Sequence, residues 1–127
     1  MLFRSDERNI VYRAAAYMLE NYELDAGVFI DINKCVPVSA GLGGGSADCA
    51  EVLRGIRDLF GLSITEKELT EIGFKFGADV PFCVIKGTAA ARGAGEKLQK
   101  LKPLPICHVL LIKPPVEIGR ASCRERV

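Results

Sequence analysis

The sequence carries almost no surplus of charge. Seventeen Lys and Arg stand against sixteen Asp and Glu, a net charge of +1. The basic stripe that binding to a phosphate backbone requires is missing, which argues against nucleic acid as a partner. Long apolar runs are missing too. The stretch Val109-Leu110-Leu111-Ile112 is typical, far short of the roughly 20 residues of a membrane span. Residues 1–8 hold no apolar signal core. Five cysteines stand at 35, 49, 83, 107 and 123, with no Cys-x-x-Cys among them. That odd, scattered set argues against a zinc site or a disulfide framework and suits a reducing cytosol. Cys49 and Cys83 read as small buried apolar residues. The lone histidine, His108, lies in an apolar strand pattern. A Ser-His-Asp or Cys-His mechanism would have to rest on it alone, and it reads as structural. Internal repeats are absent as well.

What is present fits one ordinary domain. The chain has 127 residues, about half of them hydrophobic and a quarter charged, which excludes a disordered tail, a collagen-like fibre and a coiled coil. Val11, Ala14, Ala15, Met18 and Tyr22 recur at helical spacing, so a helix is expected over about residues 9–22. Residues 27–33 alternate, with Val28, Ile30 and Ile32 on one face and Phe29, Asp31 and Asn33 on the other, the pattern of a strand. Residues 34–45 are broken by Pro37, Gly41, Gly43, Gly44 and Gly45 and read as a loop. A second helix is expected from Ser46, with Ala50, Leu53, Ile56 and Phe60 as its inner stripe and Gly61 as its stop. Ser63 with Glu66, or Thr65 with Glu68, can each form a capping box for a third helix carrying Leu69, Ile72 and Phe76 and stopping at Gly77. Residues 81–85 and 88–92 read as strands joined at Lys86-Gly87. Residues 106–113 read as another, ended by Pro114-Pro115. Helices and strands mix without strict alternation, so the expected fold class is α+β with helices packed on a mixed sheet.

The most informative stretch is Pro37-Val38-Ser39-Ala40-Gly41-Leu42-Gly43-Gly44-Gly45-Ser46-Ala47. A strand leads into four glycines and then a helix. Without Cβ atoms, backbone N–H groups can turn inward onto an anion. The following helix adds free N–H groups and the positive end of its dipole. The combination is a phosphate cradle, and Ser46 at the cap can offer its hydroxyl to a phosphate or to Mg2+. The plain alternative is a turn whose glycines only permit a sharp bend. A P-loop is excluded because no lysine follows the glycines. A dinucleotide fingerprint is excluded because position 46 is serine. A protein-kinase glycine loop would come with a His-Arg-Asp segment, which the sequence lacks.

The pattern Pro-x-x-x-Gly-Leu-Gly-Gly-Gly-Ser resembles the ATP-binding motif of the GHMP kinase superfamily. Three further segments agree in order: Asn9-Ile10-Val11-Tyr12-Arg13-Ala14-Ala15, Gly77-Ala78-Asp79-Val80-Pro81-Phe82, and Gly87-Thr88-Ala89-Ala90-Ala91-Arg92-Gly93-Ala94-Gly95-Glu96. The resemblance covers about residues 5–115. The triple glycine followed by Ser46-Ala47-Asp48 narrows it to the branch that phosphorylates the 2-hydroxyl of 4-diphosphocytidyl-2-C-methyl-D-erythritol with ATP, in the non-mevalonate route to isoprenoid precursors. It implies the superfamily's N-terminal domain fold, ATP and Mg2+ as cofactors, and a cytidine-bearing small-molecule substrate. It implies that residues 37–47 hold the triphosphate through backbone N–H groups. It places Asp79 near the acceptor hydroxyl, as general base or electrostatic aid, and Asn9 and Lys34 close to the adenine. Pro81, Phe82 and Cys83 would support Asp79 by packing. Read from the residues alone, Asp79 is an ordinary turn aspartate and Lys34 a solvated strand-end lysine.

The superfamily branch also carries a Lys-x-Asn segment and a Gly-Tyr-His segment ahead of this region, and a C-terminal domain with another glycine-rich motif. These do not occur in the sequence. The expectation is an incomplete N-terminal domain over residues 1–116, inactive by itself and exposing unpaired strand edges and apolar surface. Residues 117–127 fit the resemblance poorly and read as foreign to it; their three arginines and two glutamates account for the whole net charge. The competing readings are a different GHMP small-molecule kinase, which the triple glycine and Gly-Ala-Asp-Val-Pro oppose, and a non-catalytic nucleotide-binding remnant.

Overall fold

The computed structural model describes residues 8–37, 41–112 and 114. Helix α1 spans Ile10–Asn21, α2 Gly44–Leu59, α3 Glu66–Phe74 and α4 Val80–Ile85. Strands β1, Ala89–Arg92, and β2, Lys97–Lys100, follow. The Asn9 side chain starts α1 by accepting the Val11 N–H at 3.0 Å, which satisfies one orphan donor of the first turn. Thr65 starts α3 with a complete capping box. Its hydroxyl accepts the Glu68 N–H at 3.2 Å, while the Glu68 carboxylate accepts the Thr65 N–H at 2.8 Å. The Thr65 hydroxyl, donating to the Glu68 carboxylate at 2.6 Å, and then the Thr65 N–H hold the exposed Glu68 carboxyl below its ordinary value.

The core lies where α2 meets the other three helices. Helix α1 packs on α2, α2 on α3 and α4, and α3 on α4. Met18, Leu53, Leu69 and Val80 are fully buried at the centre. Residues of the expected stripes are buried there (Val11, Ala14, Ala15 and Met18 on α1; Ala50, Leu53 and Ile56 on α2), joined by Cys49. Between α1 and the extended segment 28–32 lies a groove of about 490 Å³, lined by Asn9, Tyr12, Leu19, Val28, Ile30 and Ile32 among others.

Several expected strands are corrected. Residues 81–85 form a helix, not a strand. Pro81 sits in its first turn, where a missing N–H costs nothing and the fixed φ suits the helix. Val80, Pro81 and Val84 are buried, so packing on α2 and α3 overrides the β-forming character of the run. Residues 27–33 keep the predicted alternation: Val28, Ile30 and Ile32 are half-buried, while Phe29, Asp31 and Asn33 are exposed. They form no ladder among the described residues, because a strand needs a partner as well as a pattern. Residues 106–112 likewise form no ladder there, and Lys113 lies outside the described residues. The expected 88–92 strand is β1, but its partner is β2. The pair is antiparallel, running from Ala89↔Lys100 to Arg92↔Lys97, and the reversal falls at 93–96 rather than at Lys86-Gly87. The described sheet is therefore a two-stranded hairpin beside the helices, a partial α+β fold.

The apolar surface is large. Phe29 is 95% exposed and Ile106 fully so, and Leu104, Val109, Leu110, Leu111 and Ile112 are also exposed. His108 is exposed rather than held in a core. Among the described residues no helix is long and apolar enough to cross a membrane. The tail at 117–127 lies outside the described residues.

Candidate functional site

The glycine-rich stretch delivers a helix N-terminus whose cap residue, a glycine, has no side chain to close it. Helix α2 begins two residues earlier than expected, at Gly44, so Ser46 is the third helical residue and not the cap. The cap is Gly43, in the left-handed region at φ +71°, and it makes no side-chain hydrogen bond. A side chain would be strained at that φ. The first bond of the helix runs from the Ala47 N–H to the Gly43 carbonyl at 2.9 Å. The N–H groups of Gly44, Gly45 and Ser46 therefore precede the helical ladder. The first turn holds no acidic residue. Gly41 also takes a positive φ, of +70°, and Gly44 lies against Val36 in the incoming segment. Pro37 and Leu42 are exposed. Val38, Ser39 and Ala40 lie outside the described residues.

Lys34 and Asp48 form an ion pair across the base of this stretch, with their side chains 19% and 25% exposed. One residue precedes the glycines and the other follows them, so the pair ties the two stems together. Sequence reading missed Asp48. Its signal was an acidic residue one turn inside α2, facing the lysine that precedes the loop.

Asp79 is placed at a helix start, not at the strand start that the sequence suggested. It is the N-cap residue of α4, yet its side chain makes no capping hydrogen bond. Its carbonyl accepts the Cys83 N–H at 3.2 Å. The carboxylate is exposed and thus free of the local role an N-cap aspartate usually fills. The Cys83 thiol is raised above its ordinary value, first by burial and then by the charges of Asp79 and Glu51. Cys49 on α2 is fully buried and pushed up to about 12, by burial first and then by Cys83. Both therefore stay protonated near neutrality and serve as packing groups. Their placement agrees with the buried apolar role expected of them, with Cys83 only half-buried.

The structure supports the glycine stretch and Asp79 on helices that pack together, α2 and α4. An Arg54 N–H of α2 donates to the Val84 carbonyl of α4 at 3.3 Å, and Lys86 pairs with Glu51 at 2.8 Å. Asn9 caps α1 through its side chain. It lines the groove between α1 and segment 28–32, which reaches Ile32 without including Lys34. Among the described residues no group of three or more His, Cys, Asp or Glu is arranged to hold a metal ion.

Comparison with known proteins places these features in context. A family model described as the GHMP kinases N terminal domain matches residues 9–87. The 4-diphosphocytidyl-2-C-methyl-D-erythritol kinase of Lachnospira eligens is 45% identical over 122 residues, covering 96% of this chain and 42% of that protein. The kinase of the same name from Exiguobacterium sibiricum is 50% identical over 118 residues, covering 93% and 41%. A crystal structure titled 4-(cytidine 5'-diphospho)-2C-methyl-D-erythritol kinase superposes with a TM-score of 0.68 at 39% identity, over 84% of this chain and 37% of that one. The chain spans about two fifths of the length of these relatives.

Proposed function

The chain belongs to the GHMP kinase family, through the segment its N-terminal domain model matches, and from that premise we propose that it is the ATP-binding part of a kinase that phosphorylates the 2-hydroxyl of 4-diphosphocytidyl-2-C-methyl-D-erythritol. The observation that carries the nucleotide reading is the start of α2, where Gly43 in a left-handed conformation leads into N–H groups that precede the helical ladder, with no acidic residue in the first turn. Such an end attracts an anion through both its donors and the helix dipole. An aspartate or serine cap would have occupied the same groups. The names of the relatives support the choice of substrate.

Phosphoryl transfer asks a protein mainly to position two reactants and to neutralise developing charge. In this reading the N–H groups of Gly43, Gly44, Gly45 and Ser46, with the stretch from Pro37 through Val38, Ser39, Ala40, Gly41 and Leu42, hold the triphosphate, while the Ala47 N–H is already spent on the Gly43 carbonyl. The Lys34–Asp48 pair keeps the stems of that stretch together, and Asn9 with Lys34 faces the adenine. Asp79 receives or stabilises the proton of the acceptor hydroxyl, and its uncapped carboxylate suits that task. Mg2+ bound with the nucleotide would neutralise phosphate charge. The Ser46 hydroxyl, in the first turn of α2, is suited to meet it.

Titration of the chain with Mg2+-ATP, followed by amide NMR, tests the nucleotide reading. The expected result is that the largest shifts fall on Gly41, Gly43, Gly44, Gly45, Ser46 and Ala47, with inorganic tripolyphosphate moving the same amides. Shifts confined to the groove residues, or none at millimolar nucleotide, would contradict it.

A further inference from the structure

The motif Gly93-Ala94-Gly95-Glu96 is built against the residue next to Asp79. We propose that this hairpin turn is a brace that sets the position of Asp79, with Gly95 and Glu96 as positioning residues. The inference rests on the role given to Asp79 above. The β1–β2 ladder ends at Arg92↔Lys97, so 93–96 form the turn. Gly95 adopts φ +114°, and a Cβ there would stand 2.6 Å from the Ala78 carbonyl oxygen and 3.4 Å from its carbon. Those atoms are main chain and cannot swing aside as a flexible side chain would. The close approach therefore couples the turn directly to the peptide that leads into Asp79.

The turn is fixed from within. The Glu96 carboxylate accepts the Ala94 N–H at 2.7 Å and folds over Gly93. The Gly95 N–H donates to the Arg92 carbonyl at 3.2 Å. On the other side the Val80 N–H donates to the Gly77 carbonyl, and the Cys83 N–H to the Asp79 carbonyl, each at 3.2 Å. Residues 77–79 are thus held between α4 and the hairpin, while the Asp79 side chain stays exposed and uncapped. A shift of the Ala78 carbonyl passes to Asp79 within one peptide unit.

Two variants separate a brace from a passive contact. Gly95→Ala adds the obstructing atom, and Glu96→Ala removes the internal tie without adding one. In Glu96→Ala the amides of residues 77–80 are expected to exchange with solvent at least about tenfold faster, with Leu69 and Ile72 unchanged. In a full-length version both variants should lower kcat about tenfold to a hundredfold, the scale of an ångström-level misplacement. KM for ATP should stay within about twofold, and Glu96→Gln, which keeps an acceptor oxygen, should recover most of the loss. Unchanged exchange at 77–80 in both variants overturns the brace. So does faster exchange with kcat unaltered. If exchange rises as expected while the unsubstituted full-length version transfers no phosphoryl group, the coupling of turn to junction stands and the role given to Asp79 falls.

Discussion

Asp79→Asn is expected to lower kcat for phosphoryl transfer in a full-length version by about a hundredfold to ten-thousandfold, the usual worth of a positioned proton acceptor. The substitution keeps the size of the side chain and removes its charge. The folded chain should scarcely register it. Asp79 is exposed and makes no side-chain capping bond to α4, so stability should change by less than about 0.5 kcal/mol. KM for ATP should also hold, because the glycine stretch and not Asp79 carries the triphosphate in this account. Steady-state kinetics with a parallel thermal melt gives both answers. A fall in kcat that tracks a lowered Tm would mean that Asp79 is structural. An unchanged kcat would remove it from the chemistry.

Leu53→Ala is expected to have the largest effect on stability. Leu53 is fully buried in the middle of α2. It reaches Gly73 of α3 at the point where Val80 of α4 also arrives. A Cβ built on Gly73 would lie 2.8 Å from Val80 and 3.7 Å from Leu53. Three helices therefore converge on this side chain, and little room exists for them to close over a cavity. Removing it should cost about 2–5 kcal/mol, the lost transfer energy together with the cavity. That is a large share of the roughly 5–15 kcal/mol that typical domains possess. Leu59→Ala near the end of the same helix is the control. That residue is 72% exposed, and its truncation should fall within about 0.5 kcal/mol. Urea unfolding followed by circular dichroism measures both. Equal losses at the two sites would mean that α2 does not bury the face assigned to it.

The helices were legible because their information is local. The stripe of α1 lies within a dozen residues, and so does the Thr65–Glu68 box that starts α3. Ser63–Glu66 was an equal candidate on paper. The structure selects Thr65, leaving Ile64 buried ahead of the helix. Helix α4 was misread because Val80, Phe82, Val84 and Ile85 are strong strand formers, and six residues are too few for period alone to decide. Asp79 followed by Pro81 was the available signal. Segment 27–33 shows the opposite case. Its alternation survives in the half-burial of Val28, Ile30 and Ile32, but a ladder depends on a second strand that no local pattern specifies. The candidate site divides in the same way. The glycines announced themselves by residue type and spacing, whereas Asp79 was singled out only by the resemblance of Gly77-Ala78-Asp79-Val80-Pro81-Phe82 and read from the residues alone as a turn aspartate. The Lys34–Asp48 tie and the contact of Gly95 with Ala78 did not announce themselves, because each joins positions that only the fold brings together.

The function proposed for this chain is that of the nucleotide-holding part of a kinase acting on a diphosphocytidyl sugar alcohol. The direct measurement is transfer of the γ-phosphate from labelled ATP to 4-diphosphocytidyl-2-C-methyl-D-erythritol by a full-length version, with the product's phosphate located by NMR. The account predicts Mg2+-dependent transfer to the 2-hydroxyl, abolished when Gly43 is replaced by valine, which cannot adopt the left-handed cap that starts α2. ATP turnover with no phosphate on that substrate, or transfer that survives the valine unchanged, would contradict it.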